Sequence, residues 1–149
     1  MKKFKFSLDK VLSQRHIQVD LRKKEFADAE KEFDQETQKL NLFIQQKADA
    51  VLQRYSIVSG SGSWTAQVEQ INSFVTGQDL RIKKQNERLL ELKKRVESRR
   101  EILQQALTEA KIIEKLKEKR KAEFFKEALQ KEQAEMDELS VIRFSKIEN

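Results

Sequence analysis

The sequence predicts an all-α protein in which two long helices form an antiparallel coiled-coil hairpin, with the longer helix on the carboxyl-terminal side. The 149 residues include no proline, and charged and hydrophobic residues each make up 38% of the chain. That hydrophobic fraction is low for a compact core but sufficient for a narrow seam between two helices. Apolar residues recur every seven positions in both halves of the chain, and a segment rich in glycine and serine separates the halves.

The seven-residue repeat is unbroken over five heptads in each half. In the first half it comprises Leu12, Val19, Phe26, Phe33 and Leu40. In the second half it comprises Val75, Ile82, Leu89, Val96 and Leu103. A repeat of this length is typical of a coiled coil, and a strict seven-residue period predicts a left-handed supercoil.

The turn between the two helices is predicted where Gly60 and Gly62 lie among serines, because clusters of these residues interrupt helices. Ser7 is the expected start of the first helix, since a serine hydroxyl can accept a hydrogen bond from a free amide of the first turn. We therefore expect a single domain over residues 1–149, with helix 1 at about 7–55, the turn at about 56–64 and helix 2 at about 65–141.

The register of the antiparallel pair follows from centring it on this turn. Phe33 then lies opposite Leu92, and helix 2 extends beyond the start of helix 1 from about Arg120 onward. A second row of seam positions contains polar residues, among them Gln78 and Gln85. Polar residues in a seam weaken the helix pair but fix its register.

The sequence does not favour an enzyme or a metalloprotein. It has no cysteine and one histidine, His16, so neither a thiolate site nor a histidine cluster can form. No glycine-rich phosphate loop is present, and two paired helices enclose no cleft for catalysis. We expect no catalytic residue, no cofactor, no metal and no small-molecule ligand. With no run of about 20 apolar residues and no signal peptide, a cytoplasmic protein is expected.

The first candidate binding surface is the predicted tip. Two helices alone bury little of its apolar cluster, which comprises Ile57, Val58, Trp64, Val68, Ile71, Phe74 and Val75. Tryptophan is a frequent anchor in protein interfaces. We interpret the cluster as a protein-binding site, and the alternative is a plug that stiffens the turn.

The second candidate surface lies on the carboxyl-terminal overhang of helix 2. In the predicted register its apolar side chains have no partner on helix 1, and they comprise Phe124, Phe125, Ala128, Leu129, Met136 and Leu139. A one-sided apolar stripe generally packs into a groove or against another helix. We interpret it as a partner-binding surface, and the alternatives are fraying or packing in a homo-oligomer.

The third candidate surface is the basic segment 81–126, which holds 16 basic and 8 acidic residues. Its clusters comprise Lys93, Lys94, Arg95, Arg99, Arg100, Lys119, Arg120 and Lys121. A solvated face, a docking site for acidic protein surface and a nucleic-acid site are all consistent with this charge. No aromatic residue lies between Arg81 and Lys121, so bases have no stacking platform there and nucleic acid is not the expected partner.

Both ends of the chain carry a pattern of aromatic, aliphatic and basic residues. The opening segment FKFSLDKVLSQR contains Phe4, Phe6, Leu8, Val11, Leu12 and Arg15. The closing segment EKLKEKRKAEFFKEALQKEQAEMDEL contains Leu116, a basic run over 117–121, Phe125 and a final DEL that ends at Leu139. Together with the plan of two long helices and a short turn, this pattern resembles the FliJ family, small cytoplasmic components of the flagellar type III export apparatus.

The resemblance implies a non-enzymatic coiled-coil protein with a fold similar to the central stalk subunit of rotary ATPases. Its paired ends would contact the hexameric flagellar export ATPase, and its tip would contact the cytoplasmic domain of the export gate protein. Such a protein would couple the ATPase ring to the gate, promote flagellar export and assembly, and associate peripherally with the flagellar base at the inner membrane. Export chaperones are further candidate partners.

The resemblance also suggests which residues bind each partner. In the family, aromatic and leucine side chains four residues apart, early in helix 2, contact the gate, and Ile71 and Val75 match that spacing. The expected gate-end residues are Leu42, Phe43, Trp64, Ile71, Phe74 and Val75. The expected basic residues of the ATPase end are Lys93, Lys94, Arg99, Arg100, Lys119 and Arg120, and its apolar residues are Phe124, Phe125 and Leu129.

Two other functions are consistent with the sequence. The equivalent stalk protein of a virulence type III secretion system would have the same helices and the same seam. A coiled coil that binds nucleic acid through segment 81–126 is the third interpretation, and its binding would depend steeply on salt.

Overall fold

A computed structural model of the protein describes residues 2–60 and 62–148. Helix α1 comprises Asp9–Ser59, with 51 residues, and helix α2 comprises Thr65–Glu148, with 84 residues. The described residues contain no β-strand. The predicted all-α class, with two long helices of which the second is the longer, is therefore confirmed. Neither helix has a stretch, within the described part of the chain, that is apolar and long enough to cross a membrane.

Both helices extend further toward the carboxyl terminus than predicted. Helix α1 ends at Ser59 rather than near Tyr55, and α2 ends at Glu148 rather than near Val141, although α2 begins at Thr65 as expected. With no proline to stop either helix, only glycine interrupts the backbone. Gly62 has a φ of 135°, a region in which glycine is favoured, and Ser61 of the predicted turn lies outside the described residues.

The start of α1 differs from the prediction that Ser7 caps it. The Asp9 amide donates a hydrogen bond to the Phe6 carbonyl over 3.2 Å, which forms a turn before the helix. The Ser7 hydroxyl instead accepts a hydrogen bond from Nη1 of Arg120 on α2 over 3.2 Å. The acidic side chain of Asp9 in the first turn interacts favourably with the helix dipole.

The chain divides into two compact units. The terminal unit comprises Met1–Asp20 and Gln104–Asn149, and the turn unit comprises Leu21–Leu103. Each unit contains one part of α1 packed against one part of α2. The single domain over residues 1–149 stays a prediction.

The helices are antiparallel within each unit, as cross-helix ion pairs show. In the terminal unit, Asp9 pairs with Lys117 over 3.0 Å and Arg15 pairs with Glu109 over 2.9 Å. In the turn unit, Glu32 pairs with Arg95 over 3.2 Å and Lys47 pairs with Asp79 over 2.6 Å. As the residue numbers on α1 increase, the residue numbers of their partners on α2 decrease. Each pair lies within about one helical turn of the predicted register.

The residues of the seven-residue repeat, the predicted seam ladder, are the most buried residues of the seam in only part of the chain. In the terminal unit, Leu12 and Val19 are buried, and Val19 forms a cluster with Ala106 and Ala110. In the turn unit the ladder residues are half-buried, and they comprise Phe26, Phe33, Leu40, Val75, Ile82, Leu89, Val96 and Leu103. The buried residues of that unit come from the second seam row and comprise Ala29, Ala50, Gln78, Gln85 and Leu92. The side chains at those positions lie between the helices, whereas the ladder side chains reach the edge of the seam.

Candidate protein-binding sites

The turn unit contains an open groove of about 630 Å³ between α1 and α2. Its apolar lining includes Phe43, Ile71 and Phe74, three of the residues expected at the gate end. Its polar lining comprises Gln46, Asp49, Gln53, Gln70, Gln78 and Arg81. The groove can therefore bind apolar side chains and, along its rim, groups that form hydrogen bonds with amides.

The apolar residues of this groove differ in exposure as the helix period predicts. Phe74 is 42% exposed, whereas Ile71 and Val75 are half-buried at the seam. Since successive residues turn by about 100° around a helix, Phe74 points away from the seam while its two neighbours face α1. Phe74 is thus available for contact with another molecule.

Three expected gate-end residues do not line the groove, namely Leu42, Trp64 and Val75. Leu42 on α1 is exposed, and Trp64 is exposed immediately before α2. The Trp64 carbonyl accepts a hydrogen bond from the Val68 amide over 2.9 Å, which begins the first turn of α2. The structure therefore brings together Phe43, Ile71 and Phe74, but it does not place Leu42 or Trp64 with them.

The floor of the groove is polar. Gln78 is 1% exposed, and its Nε2 donates hydrogen bonds to the Phe43 carbonyl over 3.0 Å and to Oε1 of Gln46 over 2.8 Å. Its Oε1 accepts a hydrogen bond from Nη1 of Arg81 over 2.9 Å. Because a buried amide without partners would be costly, these three bonds hold the Gln78 side chain in one orientation.

A second polar contact crosses the seam nearby. Nε2 of Gln85 donates to the Glu36 carbonyl over 2.8 Å and to Oε2 of Glu36 over 2.6 Å. The hydrogen bond from Gln85, together with the positive charges of Arg88 and Lys39, lowers the pKa of Glu36, although partial burial opposes the shift. The glutamines of the second seam row were predicted to fix register. The place of Gln78 beneath the groove was not predicted, because it depends on the rotation of each helix.

The terminal unit has an aromatic cluster formed by the segment before α1. The Phe4 and Phe124 rings lie 5.6 Å apart, and Phe6 is 6% exposed. The Arg120 guanidinium lies 5.7 Å from the centre of the Phe6 ring. The expectation that Phe124 has no intrachain partner is therefore wrong. The segment before the helix folds along α2, and helical periodicity does not predict a non-helical segment.

Two other apolar residues of the expected ATPase end remain exposed, although the Phe125 ring packs edge to face on the Phe124 ring at 5.6 Å. Phe125 is 48% exposed and Leu129 is also exposed. Phe125 lines an open cleft of about 550 Å³. The basic side chains of that cleft comprise Lys2, Lys3, Lys117 and Lys121, and its aromatic side chains are Phe4, Phe6 and Phe125. It was not predicted from the sequence that Lys2 and Lys3 line this cleft. The lysines beside alternating phenylalanines at the amino terminus are a signal that could have indicated it.

The basic residues expected at the ATPase end divide between the two units. Lys119 and Arg120 belong to the terminal unit, whereas Lys93, Lys94, Arg99 and Arg100 belong to the turn unit. The structure therefore does not bring all six into one unit.

Several arginines of the basic segment are paired within the turn unit. Arg99 pairs with Glu25 over 3.8 Å and Arg100 pairs with Glu97 over 3.3 Å, and Arg100 also lies 5.8 Å from the centre of the Phe26 ring. Lys93 and Lys94 are exposed. Part of the positive charge therefore stabilises the helix pair, and the lysines carry the charge available to a partner.

Comparison with known proteins gives one match. The family described as flagellar FliJ protein matches residues 4–149. No curated protein and no solved structure matches the chain. The match begins at Phe4 of the aromatic cluster and covers both helices. It therefore includes the groove in the turn unit and, except for Lys2 and Lys3, the cleft in the terminal unit. The chain therefore belongs to the FliJ family of flagellar type III export components.

Proposed function

We propose that the chain is a non-enzymatic coupling factor that links the hexameric flagellar export ATPase to the cytoplasmic domain of the export gate protein. The observation that carries this proposal is membership of the FliJ family over residues 4–149. In this function the chain associates peripherally with the flagellar base at the inner membrane and binds export chaperones as further partners.

The terminal unit supports the proposal for the ATPase. Its cleft combines four lysines with the exposed ring of Phe125, and one of the four, Lys117, is paired with Asp9, which also lines the cleft. Lysine ammonium groups favour an acidic surface, and an exposed aromatic ring adds apolar contact area. A ring of ATPase subunits that presents acidic and apolar side chains would satisfy both.

The turn unit supports the proposal for the gate. Its groove places the exposed ring of Phe74 beside Ile71 and Phe43, above a floor of bonded glutamines. A partner that inserts an apolar side chain would displace water from Phe74 without breaking the bonds of Gln78. The two proposed contacts lie in different units, so both partners can bind one chain.

The helices themselves support coupling between these contacts. Helices α1 and α2 are each continuous through the boundary between the two units, at residues 20–21 and 103–104. Both units are therefore built from the same two helices, and the proposed coupling requires no chemical step by the chain.

The test is reconstitution with purified partners. The wild-type chain should raise the ATP hydrolysis rate of the export ATPase and should also bind the purified cytoplasmic domain of the gate protein. Phe125→Ala with Leu129→Ala should reduce the stimulation and keep gate binding, and Phe74→Ala should do the opposite. Each variant is thus the control for the other. A chain that neither stimulates the ATPase nor binds the gate domain would disprove the proposal.

A further inference from the structure

The last part of α2 is a helix with no intrachain partner. Every residue from 130 to 148 is exposed. Six large apolar side chains of this segment are exposed, and they comprise Met136, Leu139, Val141, Ile142, Phe144 and Ile147. Val141 and Phe144 lie on the face opposite Leu139, whereas Met136, Leu139 and Ile142, which are 69%, 59% and 45% exposed, lie together. Helices in proteins gain most of their stability from the packing of an apolar face, so a partner that covers these side chains would stabilise the segment.

These three apolar residues lie on one face that also carries four charged residues. At about 100° per residue, all seven positions fall within about 60° of Leu139 around the helix. The charged residues are Glu132, Glu135, Arg143 and Lys146. The face therefore has an apolar centre at Leu139, an acidic end before it and a basic end after it.

The charge order along the whole segment is the same as along this face. Residues 127–138 hold five acidic and one basic residue, whereas residues 139–148 hold two basic residues and one acidic residue, Glu148. A surface with an acidic half and a basic half is complementary to itself after a two-fold rotation. A parallel arrangement would instead place like charges together.

We propose that this face pairs with the same face of a second copy of the chain, antiparallel and with the two-fold axis at Leu139. Each Met136 then contacts the partner's Ile142, and Leu139 contacts the partner's Leu139. At both ends, Glu132 and Glu135 lie opposite the partner's Lys146 and Arg143. The contact runs from Glu132 to Lys146, which is 15 residues per copy. The interface is therefore small, and we expect a weak dimer with a dissociation constant on the order of tens of micromolar.

This dimer goes beyond the proposed coupling function. The extension begins directly after Phe125 and Leu129, which are proposed to contact the export ATPase. Formation of the dimer covers the following turns of α2, so a chain bound at this end to the ATPase and a dimeric chain are competing states.

The first test uses the absence of native cysteine. In the full-length chain, Leu139→Cys should form a disulfide-linked dimer rapidly on oxidation, because the axis brings the two residues together. Met136→Cys and Ile142→Cys should each link slowly alone, since about 9 Å of helix separates the like residues, but a mixture of the two should link rapidly. Ala134→Cys, on the opposite face, is the matched control and should not link above background.

The second test uses charge reversal and sedimentation of the full-length chain at low salt. Glu132→Lys with Glu135→Lys should raise the dimer dissociation constant by about tenfold or more, because four ion pairs become four like-charge contacts. Adding Arg143→Glu with Lys146→Glu to the same chain reverses all four charges and should restore the wild-type value. Circular dichroism of each variant checks that the helix content is unchanged.

Three results would overturn the inference. The first is a wild-type chain that stays monomeric at about 200 micromolar, roughly ten times the expected dissociation constant of the dimer. The second is equal cross-linking at positions 136, 139 and 142. The third is failure of the four-residue charge swap to restore association. A monomer whose extension binds the export ATPase would assign this face to that partner instead. That outcome leaves the proposed function intact, whereas loss of ATPase stimulation with an intact dimer would disprove only the proposed function.

Discussion

Nε2 of Gln85 on α2 lies 2.6 Å from Oε2 of Glu36 on α1 and 2.8 Å from the carbonyl oxygen of the same residue. One amide thus bonds both the side chain and the backbone of a residue on the opposite helix. The contact can form only when these two residues face each other across the seam. It therefore links the stability of the turn unit to the ionisation of one carboxyl group.

Acidification should weaken the turn unit through Glu36. Its pKa in the folded chain lies below the ordinary value of 4.5, so the unfolded chain binds more protons near that pH. The stabilisation is present above pH 4.5 and is lost as the pH falls through the lowered pKa. The melting temperature of the wild type should therefore exceed that of Glu36→Gln at neutral pH, and the difference should shrink in acid.

Circular dichroism melts between neutral pH and about pH 3 measure this difference. Glu30→Gln is the control, because Glu30 is exposed on the same helix and lacks the Gln85 contact. Melting curves of wild type and Glu36→Gln that stay parallel over the whole range would contradict the prediction.

Replacing both buried glutamines by leucine should raise thermal stability but reduce the uniqueness of the register. Leucine removes the need to satisfy a buried amide, which can be neutral or stabilising when the volume is similar. It also removes the polar contacts that specify which residues face each other. A chain with Gln78→Leu and Gln85→Leu should therefore melt at a higher temperature and populate helix pairs displaced by a heptad.

Cysteine pairs in the otherwise cysteine-free chain measure the register. A pair at Phe33 and Leu92 should cross-link within one molecule in both backgrounds. A pair at Phe33 and Arg99, displaced by about 10 Å along α2, should cross-link only in the leucine background. Efficient linking of the displaced pair in the native background would show that the glutamines do not fix the register.

The sequence predicts the helix pair well because the evidence for it repeats. If one of the five repeats in a half did not fit, the other four would still predict a coiled coil. The glycines of the turn also limit the possible register. The aromatic cluster of the terminal unit has no such redundancy. Whether Phe4 packs on Phe124 depends on the path of a short segment outside any helix, and no periodic pattern determines that path.

The candidate groove was predictable in part for the same reason. The positions of Ile71 and Phe74 relative to the seam follow from helical geometry. The depth of the groove beside Gln78 depends on small residues such as Ala50, which is buried and leaves space next to it. Packing of this kind is set by the side chains of both helices together and cannot be obtained from either repeat alone.

Phe6 and Phe125 should have opposite roles in the terminal unit. Phe6→Ala removes a buried ring that contacts Arg120 and should lower the local free energy of opening by about 3 kcal/mol. Phe125→Ala removes a ring that is 48% exposed and packs edge to face on Phe124 at 5.6 Å, and it should lower this free energy by less, about 0.5–1.5 kcal/mol. Hydrogen exchange of the amides at residues 9–20 reports both changes. Equal loss of protection in the two variants would mean that Phe125 also stabilises the unit and is not free for a partner.

At the groove of the turn unit, stability and binding should separate between neighbouring residues. Ile71 and Val75 are half-buried at the seam, so replacing either with alanine should lower stability by roughly 1–3 kcal/mol. Phe74 is 42% exposed, and Phe74→Ala should leave helix content and melting temperature nearly unchanged. If the groove binds the gate domain, Phe74→Ala should nevertheless weaken that binding by tenfold or more, the loss of about 1.4 kcal/mol of apolar contact.

Titration of the purified gate domain with each variant, alongside thermal melts, distinguishes the two roles. Leu42→Ala is the matched control, since Leu42 is an exposed apolar residue of the same unit that does not line the groove. It should change neither the melt nor the affinity, and ATPase stimulation should persist in every variant because the proposed ATPase contact lies in the terminal unit. If Phe74→Ala binds the gate domain as tightly as the wild type while Ile71→Ala only lowers the melting temperature, the groove residues stabilise the helix pair and the gate contact lies elsewhere on the chain.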